Sequence, residues 1–334
     1  MLLRRLHLID IQPYEFDKLL SNRLIKQLHT LIVDVTDSNP FKYQVVEGAY
    51  LAKVCACLPA LKICGLPFNY CWRSHEQLEK YSAPPHMSLP NLSNTVYLHT
   101  LILGVNTSHF LVRLLACVPF IQNLSIVVED RKVIDDEKLP LAVDARHSHY
   151  LSRLTVKCIG GISFHRTTAL LSSVFGQLNH LFLSIDAYTT TSDLLFISGD
   201  MIQQACIDRL KPSVSYALDL SLHVEDDLVG KKILNSFIKA PFCRRERPMV
   251  IIQECNYCML DQRDHGFVVY TLPYNGTKLE TYFFSKHMQV SSHMLINPAD
   301  SFPRANELSI SGFTLTIPLR DIDYSRNSMQ SFVP

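Results

Sequence analysis

The feature that most constrains the fold is a six-residue pattern with aliphatic residues at the first, fourth and sixth positions. Apolar residues that alternate in this way predict a short β-strand with one buried face. The pattern recurs nine times, which is more than a leucine-rich composition explains and predicts a chain of stacked units. The copies begin at Leu3, Leu28, Leu58, Leu98, Ile121, Leu151, Leu178, Ala217 and Ala305.

Three copies follow a segment with helical spacing of its apolar residues. Residues 50–63, 110–126 and 168–185 each begin with a helical pattern, pass through a breaker such as Pro119 or a polar pair, and end in the strand pattern. A single helix–strand unit cannot bury its apolar face alone, so neighbouring units must stack. We therefore predict an α/β fold: an irregular solenoid, horseshoe or arc, with parallel strands on its concave face and helices on its convex face.

The pattern L-x-x-L-x-L, preceded by an amphipathic helix, resembles the leucine-rich repeat. The longest units are most similar to the repeat region of F-box/leucine-rich-repeat proteins. The segment FVVYTLPYNGTKLETYFF also resembles the C-terminal part of F-box-associated proteins of small invertebrates. Regular family members carry Asn or Cys three residues after the last strand leucine, and here Asn106 fits, with Thr36 as a substitute. The first strand pattern begins at Leu3, which leaves no room for the F-box before the repeats, so we expect either a truncated N-terminus or a repeat-only relative.

Two portions are predicted along the chain. Residues 1–247 contain the helix–strand repeats, and residues 248–334 form a strand-rich capping portion of the same solenoid, since terminal repeats are atypical. Asn275-Gly276 predicts a hairpin turn between two strands of that portion. We expect the last ten or so residues to be disordered.

The predicted geometry indicates a binding surface. The leucines of each strand pattern point into the core, so the residues on either side of the middle leucine line the concave face. Phe182 with Arg153 and His180 predicts a hot spot, because an aromatic residue beside an arginine is typical of interface centres. The partner-binding residues predicted in this way are Lys62, Thr100, Ile102, Asn123, Ser125, Arg153, Thr155, His180, Phe182 and Asp219.

Motifs for catalysis or cofactor binding are absent from the sequence. Neither a G-x-x-x-x-G-K-[ST] phosphate loop nor a G-x-S-x-G nucleophile elbow occurs, so we expect no catalytic residues and no cofactor. Cys255 and Cys258 have the C-x-x-C spacing of a zinc site, with Cys243 and His265 as conceivable further ligands. A second pair with matching spacing is missing, which favours free thiols and no metal, although metal binding by this pair stays open.

The function favoured by the sequence is non-catalytic binding of another protein on the concave face. The resemblance implies the substrate-recognition part of an SCF-type ubiquitin-ligase adaptor, with Skp1 and cullin as further partners if an F-box is supplied. The alternative is a repeat-only scaffold or inhibitor with no link to ubiquitination.

Charge and the start of the chain bear on partners and location. The formal net charge of +1 gives no reason to expect nucleic acid or a membrane as partner. Arg4, Arg5 and Asp10 interrupt the apolar start, which is unlike a secretory signal. We therefore expect a cytoplasmic or nuclear protein with reduced cysteines.

Overall fold

Strands and helices alternate along most of the chain. The computed structural model describes residues 3–35, 48–66, 95–130, 142, 149–189, 196–224, 227–244, 248–259, 262–274, 278–282, 288–290, 302–303 and 307–311. The strands are β1 (Arg5–Ile9), β2 (Thr30–Asp34), β3 (Ile63–Leu66), β4 (Thr100–Asn106), β5 (Asn123–Glu129), β6 (Arg153–Ile159), β7 (His180–Thr189), β8 (Ser215–Val224), β9 (Met249–Met259), β10 (Gln262–Leu272), β11 (Lys278–Tyr282), β12 (Met288–Val290) and β13 (Glu307–Ser311). The α-helices are α1 (Pro13–Leu20), α2 (Ala49–Cys57), α3 (Ser108–Cys117), α4 (Gly161–Leu171), α5 (Gly199–Ala205) and α6 (Asp227–Lys239). The predicted α/β class is confirmed.

The chain divides into two compact units. The first contains residues 1–187, 192–196 and 201–216, and the second contains residues 188–191, 197–200 and 217–334. The second unit therefore begins well before residue 248, where the sequence places the change from repeats to a strand-rich portion. The reason is that β8 pairs antiparallel with β10, so residues after 217 are held by the C-terminal strands. Residues 312–334, which include the predicted disordered end, lie outside the described part of the chain.

The strands of the first unit follow one another across the sheet in chain order. Each of β1 to β6 pairs in parallel with the strand that comes next. Crossovers between parallel strands are right-handed, so this order carries the connecting helices to one face of the sheet. The described crossovers contain α1, α2, α3 and α4. The sheet is thus mostly parallel, with one face covered by helices.

A continuous row of buried side chains crosses this sheet. Along β6, residues alternate between exposed and buried, which is the pattern of a strand with one covered face. Strand pairing aligns the middle residues of successive strand patterns, and each of them is at most 2% exposed. The row consists of Leu31, Cys64, Leu101, Leu124, Leu154 and Leu181.

The third strand differs from the prediction. The sequence places Leu58, Leu61 and Ile63 in the strand pattern, but Leu58 ends α2, where its N–H donates to the carbonyl of Val54 at 2.9 Å. The strand begins at Ile63, and Cys64 takes the middle position of the buried row. A buried cysteine packs as a small hydrophobe, so it can replace leucine at this position of the core.

The β4 strand contains a bulge. Its register with β5 shifts between Ile102 and Val105, which leaves an extra residue on β4. Asn106 is 7% exposed, and its Nδ2 donates to the carbonyl of Gly104 at 2.9 Å. The side chain of Asn106 therefore satisfies a backbone group that the bulge takes out of the strand pairing. Thr36, the predicted substitute for such an asparagine, lies outside the described residues.

The second unit is dominated by antiparallel pairing. In it β10 lies between β8 and β9, and β12 pairs with the other edge of β9. A separate two-stranded sheet contains β11 and β13, which run parallel. The predicted hairpin at Asn275-Gly276 is wrong, because β10 pairs with β8 and β9 while β11 pairs with β13; residues 275–277 themselves lie outside the described part. The turn residues favoured a hairpin locally, but the partner strands of β10 come from elsewhere in the chain.

Candidate functional site

One face of the first unit's sheet lies opposite the buried row. We call it the outer face; its residues alternate with the buried ones along each strand. Strand pairing arranges them in two rows across β2 to β7. The first row contains Thr30, Ile63, Thr100, Asn123, Arg153 and His180, and the second contains Ile32, Gly65, Ile102, Ser125, Thr155 and Phe182.

The residues predicted as a hot spot are brought together on the outer face. Arg153 lies directly opposite His180, and Thr155 lies directly opposite Phe182. Adjacent strands are about 4.8 Å apart, so these four side chains are immediate neighbours. Arg153, Thr155 and His180 are exposed, and Phe182 is half-buried. The His180 ring is hydrogen-bonded through Nδ1 to Oγ of Ser215, which fixes its orientation beside Arg153.

The middle of the rows, on β4 and β5, is held by side-chain hydrogen bonds. Nδ2 of Asn123 donates to Oγ1 of Thr100 at 3.0 Å, and the same oxygen lies 3.0 Å from Nδ1 of His99. Ile102 and Ser125 lie opposite each other in the second row. All five residues are half-buried. This part of the outer face is therefore ordered by contacts between strands before any partner binds.

Two predicted residues lie outside these rows. Lys62 precedes β3, because this strand begins later than the pattern predicts, and Ile63 and Gly65 take the row positions. Lys62 is exposed and lines the groove described next. Asp219 is half-buried and lies opposite Tyr270 of β10. It therefore belongs to the second unit, whereas the predicted hot spot belongs to the first.

A groove with a volume of about 380 Å³ lies at the amino ends of β3 to β6. We call it the aromatic groove. Its apolar residues face solvent: Tyr97 is 60% exposed, Phe120 is 41% exposed and Tyr150 is 45% exposed. Apolar surface gathered at one place, rather than scattered singly, is typical of an interaction site. The groove is lined by Lys62, Val96, Tyr97, His99, Phe120, Gln122 and Tyr150.

Backbone hydrogen bonds explain why the aromatic residues lie side by side. The carbonyl of Lys62 accepts two consecutive N–H groups at the start of β4, and the carbonyl of His99 accepts two at the start of β5, all at 2.9–3.1 Å. The carbonyls of Gln122 and Ser152 accept two N–H groups each from β6 and β7 in the same way. These four residues are therefore structurally equivalent. Two positions before the last three of them come Tyr97, Phe120 and Tyr150.

Sequence reasoning missed this aromatic set, although its signal is present. Tyr97, Phe120 and Tyr150 each come directly before the first aliphatic residue of a strand pattern. The prediction considered only the residues on either side of the middle leucine, because those line the strand itself. The equivalent positions before β3 and β7 hold Ala60 and Gln177. The aromatic set is therefore confined to the segments that precede β4, β5 and β6.

The rings of the groove support one another. The ring centroids of Phe120 and Tyr150 are 5.6 Å apart, and those of His149 and Tyr150 are 3.9 Å apart. At its distance the Phe120–Tyr150 pair attracts beyond its apolar burial. Among the described lining residues Lys62 carries the only formal charge, and none is Asp or Glu. The groove thus offers ordered apolar surface beside one cation.

A cluster of polar side chains lies at the carboxyl end of β5, apart from the outer face and the aromatic groove. Oδ1 of Asp130 accepts hydrogen bonds from the N–H of Ser108 at 2.9 Å and from its hydroxyl at 3.1 Å. The N–H of Asp130 donates to Oγ of Ser163 at 2.6 Å. Ser108 is the first residue of α3 and Ser163 lies in the first turn of α4. A carboxylate at a helix N-terminus satisfies unpaired N–H groups and interacts favourably with the helix dipole, so Asp130 ties β5 to two helices.

The same cluster does not have the geometry of a catalytic triad. Oγ of Ser163 is bonded to a backbone N–H, and Nε2 of His165 is buried without a hydrogen-bond partner among the described residues. A nucleophile needs a base within hydrogen-bond reach, and this pair does not supply one. Burial lowers the pKa of His165, which also favours its neutral form. The cluster is therefore best explained as a structural link.

We expect Asp130→Asn and Asp130→Ala to have opposite effects on stability. Burial raises the pKa of Asp130, although the hydrogen bonds from Ser108 and the charge of Arg166 oppose this effect. A raised pKa in the folded state means that stability is present at acid pH and is lost as the pH rises through that pKa. The asparagine variant keeps an acceptor for Ser108 and carries no charge, so its stability relative to wild type should rise between acid and neutral pH.

The alanine variant leaves the N–H of Ser108 without its partner. We expect Asp130→Ala to cost about 1–3 kcal/mol at pH 7. Urea unfolding of both variants at several pH values between acid and neutral checks the prediction. If the stability of the asparagine variant falls relative to wild type as the pH rises, burial is not the dominant influence on the pKa of Asp130.

The described cysteines behave as packed thiols. Cys55, Cys64, Cys158, Cys206 and Cys243 are buried and free, as predicted, while two more are half-buried. Burial raises the pKa of Cys158 and of Cys243 to about 12, so the reactive thiolate is scarce at neutral pH. The described residues contain no cluster of three or more His, Cys, Asp or Glu placed to hold a metal ion.

The C-x-x-C pair lies within β9. Strand pairing places Cys255 opposite Gly266 and Cys258 opposite Arg263 in β10. Their side chains, and that of His265, lie outside the described part of the chain.

Comparison with known proteins adds no relative. The chain matches no model of a known protein family, and no curated protein matches it either. None of the described helices combines the length and the apolar character that crossing a lipid bilayer requires.

Proposed function

We propose that the protein is a non-catalytic leucine-rich-repeat solenoid that binds another protein on the outer face of its parallel sheet, which would be the concave face. The observation that carries the proposal is the register of β6 and β7, which gathers Arg153, His180 and Phe182 at one place. An arginine and an aromatic ring side by side fit the composition of interface hot spots. Strands in chain order with helices on one face also fit the predicted repeats.

The proposal includes a link to ubiquitination. The resemblance of the repeats to those of F-box/leucine-rich-repeat proteins supports a role as the substrate-recognition part of a ubiquitin-ligase adaptor. In that role the outer face would capture the substrate protein in the cytoplasm or nucleus, and Skp1 and cullin would join through an F-box. A repeat-only scaffold or inhibitor would use the same face without those components.

We expect the double variant Arg153→Ala/Phe182→Ala to lose binding of the partner protein while keeping the fold. Two hot-spot residues removed together should lower recovery of the partner roughly tenfold or more. The measurement is affinity purification of the tagged chain from its own cells, with the bound proteins quantified by mass spectrometry. Since Arg153 is exposed and Phe182 is half-buried on the outer face, thermal unfolding should change little.

A matched control removes the same chemistry elsewhere. Tyr14 is 76% exposed and Arg23 is exposed, and both lie in the α1 region. The Tyr14→Ala/Arg23→Ala variant should retain the partner. Recovery of Skp1 and cullin with the wild-type chain supports the adaptor role, and a specific partner without them supports the scaffold. If Arg153→Ala/Phe182→Ala recovers as much partner as the wild-type chain and the control variant do, the outer face is excluded as the binding site.

A further inference from the structure

We propose that the aromatic groove is a second binding site, which takes a short extended segment of a partner protein carrying an apolar side chain next to an Asp or Glu. This site uses different residues from the outer-face hot spot, so it can exist whether or not the proposed function holds. Three features of the groove carry the proposal: its aromatic set, its size and its charge.

The aromatic set forms a platform with a defined spacing. Tyr97, Phe120 and Tyr150 occupy equivalent positions before the consecutive strands β4, β5 and β6, and adjacent strands are about 4.8 Å apart. Aromatic side chains have few rotatable bonds, so they provide contact area at low entropic cost. The pair Phe120–Tyr150 is already in ring contact at 5.6 Å. Binding therefore needs little reordering of this surface.

The size of the groove limits what it can hold. Its volume of about 380 Å³ is at the lower end of the roughly 300–1,000 Å³ found for small-molecule sites. One or two side chains of a peptide fit such a space, whereas a folded domain would contact only its rim. On either side of the aromatic set the equivalent positions, before β3 and β7, hold Ala60 and Gln177, which are not aromatic. The occupant is therefore a short segment anchored by an apolar side chain.

Charge complementarity decides the second feature of the occupant. Lys62 is exposed at the groove, and no described lining residue carries a negative charge to neutralise it. A carboxylate beside the apolar anchor would pair with the ammonium group, which adds orientation and rejects basic segments. The side-chain amide of Gln122 can donate to the same carboxylate or to the peptide backbone.

A nucleic acid is a poorer fit to the same surface. Aromatic platforms also stack unpaired bases, but such sites combine stacking with a positively charged groove that follows the phosphates. Here a single lysine lines the groove and the formal net charge of the chain is +1. One cation neutralises too few phosphates to hold a strand at ordinary salt. The occupant that best matches both the rings and the lone lysine is an acidic peptide segment.

The experiment is a display selection of short random peptides on the immobilised full-length chain. Selected sequences should combine an aromatic or large aliphatic residue with Asp or Glu within two positions. A synthetic fluorescent peptide of the winning sequence is then titrated with wild type and variants by polarisation. Phe120→Ala should weaken binding of this peptide roughly tenfold or more, because it removes the central ring. Tyr14→Ala, an exposed tyrosine outside the groove, should bind as wild type does.

A charge swap tests the role of the lysine independently of folding. Lys62→Glu should weaken binding of the acidic peptide and strengthen binding of the same peptide with Lys in place of its acidic residue. Lys26→Glu, at an exposed position before β2 and outside the groove, should do neither. Restored binding in the swapped pair cannot result from a misfolded variant. Equal binding of both peptides by wild type and Lys62→Glu would overturn the proposed charge recognition.

Other occupants give different results. Concentration-dependent dimers that disappear in Phe120→Ala would make the occupant a second copy of this chain. Binding of fluorescent oligo-dT that depends on Phe120 would make it single-stranded nucleic acid. Either result overturns the proposal, as does selection of peptides whose binding is unaffected by Phe120→Ala. None of these outcomes changes the test of Arg153 and Phe182 on the outer face.

Discussion

Replacing Val156 with aspartate is expected to unfold the first unit. Val156 is 2% exposed and lies in β6 between Ile126 of β5 and Leu183 of β7. A carboxylate at this position would be surrounded by aliphatic side chains, with no partner and no access to water. We expect a loss of about 4 kcal/mol or more, which is a large part of the roughly 5–15 kcal/mol that stabilises a typical domain.

The neighbouring residue provides the matched control. Thr155 is exposed on the outer face, so Thr155→Asp introduces the same carboxylate into the same strand with full access to water. Its cost should stay within about 1 kcal/mol, the range of strand preferences. Urea unfolding followed by circular dichroism measures both variants. Equal destabilisation by the two would show that the sheet is covered on both faces.

Gly199→Ala is expected to destabilise the second unit strongly. A Cβ at this position would lie 2.6 Å from Cα of Phe237 and 2.8 Å from the carbonyl oxygen of Ser236. Both atoms belong to the backbone of α6, so they cannot rotate away. The start of α5 would have to retreat from α6, which would also break the hydrogen bond from the N–H of Gly199 to Oγ of Ser236, now 2.9 Å. We expect a cost of about 2–4 kcal/mol.

Gly176→Ala is the corresponding control. The nearest atom to a Cβ at Gly176 is the carbonyl oxygen of Arg209, at an ordinary contact distance of 3.7 Å. Alanine restricts the unfolded chain more than glycine does, so this variant should be neutral or slightly more stable. Thermal unfolding of both glycine variants, measured in parallel, separates the two cases. A Gly199→Ala protein as stable as wild type would disprove the close approach of Gly199 to α6.

The strands of the first unit follow from the sequence because their signal is local. Alternation of aliphatic and other residues at Leu98, Ile121, Leu151 and Leu178 predicts strands that the structure contains. The third strand shows the limit of this reasoning. At Leu58 two overlapping patterns, three residues apart, both fit an aliphatic alternation, and only the end of α2 decides between them.

The sequence predicts the neighbours of some site residues but not of others. Arg153, His180 and Phe182 can be assigned to one face from the pattern of each strand, and the register then makes them neighbours. Asp219 has the same kind of pattern, yet it pairs with β10 because an antiparallel strand from the C-terminal region occupies that edge of β8. The alternation of a strand fixes its faces, but it does not identify the strands beside it.

In the first unit, the sequence by itself determined where the strands lie, except for β3, which face of these strands is buried, and that helix and strand alternate. These properties depend on residues a few positions apart, so periodicity reports them. The tertiary structure alone decided the pairing of β8 with β10, the division near residue 217, the approach of Gly199 to α6 and the gathering of Tyr97, Phe120 and Tyr150 in one groove. Each of these brings together residues distant along the chain, and their contact depends on how whole strands and helices pack.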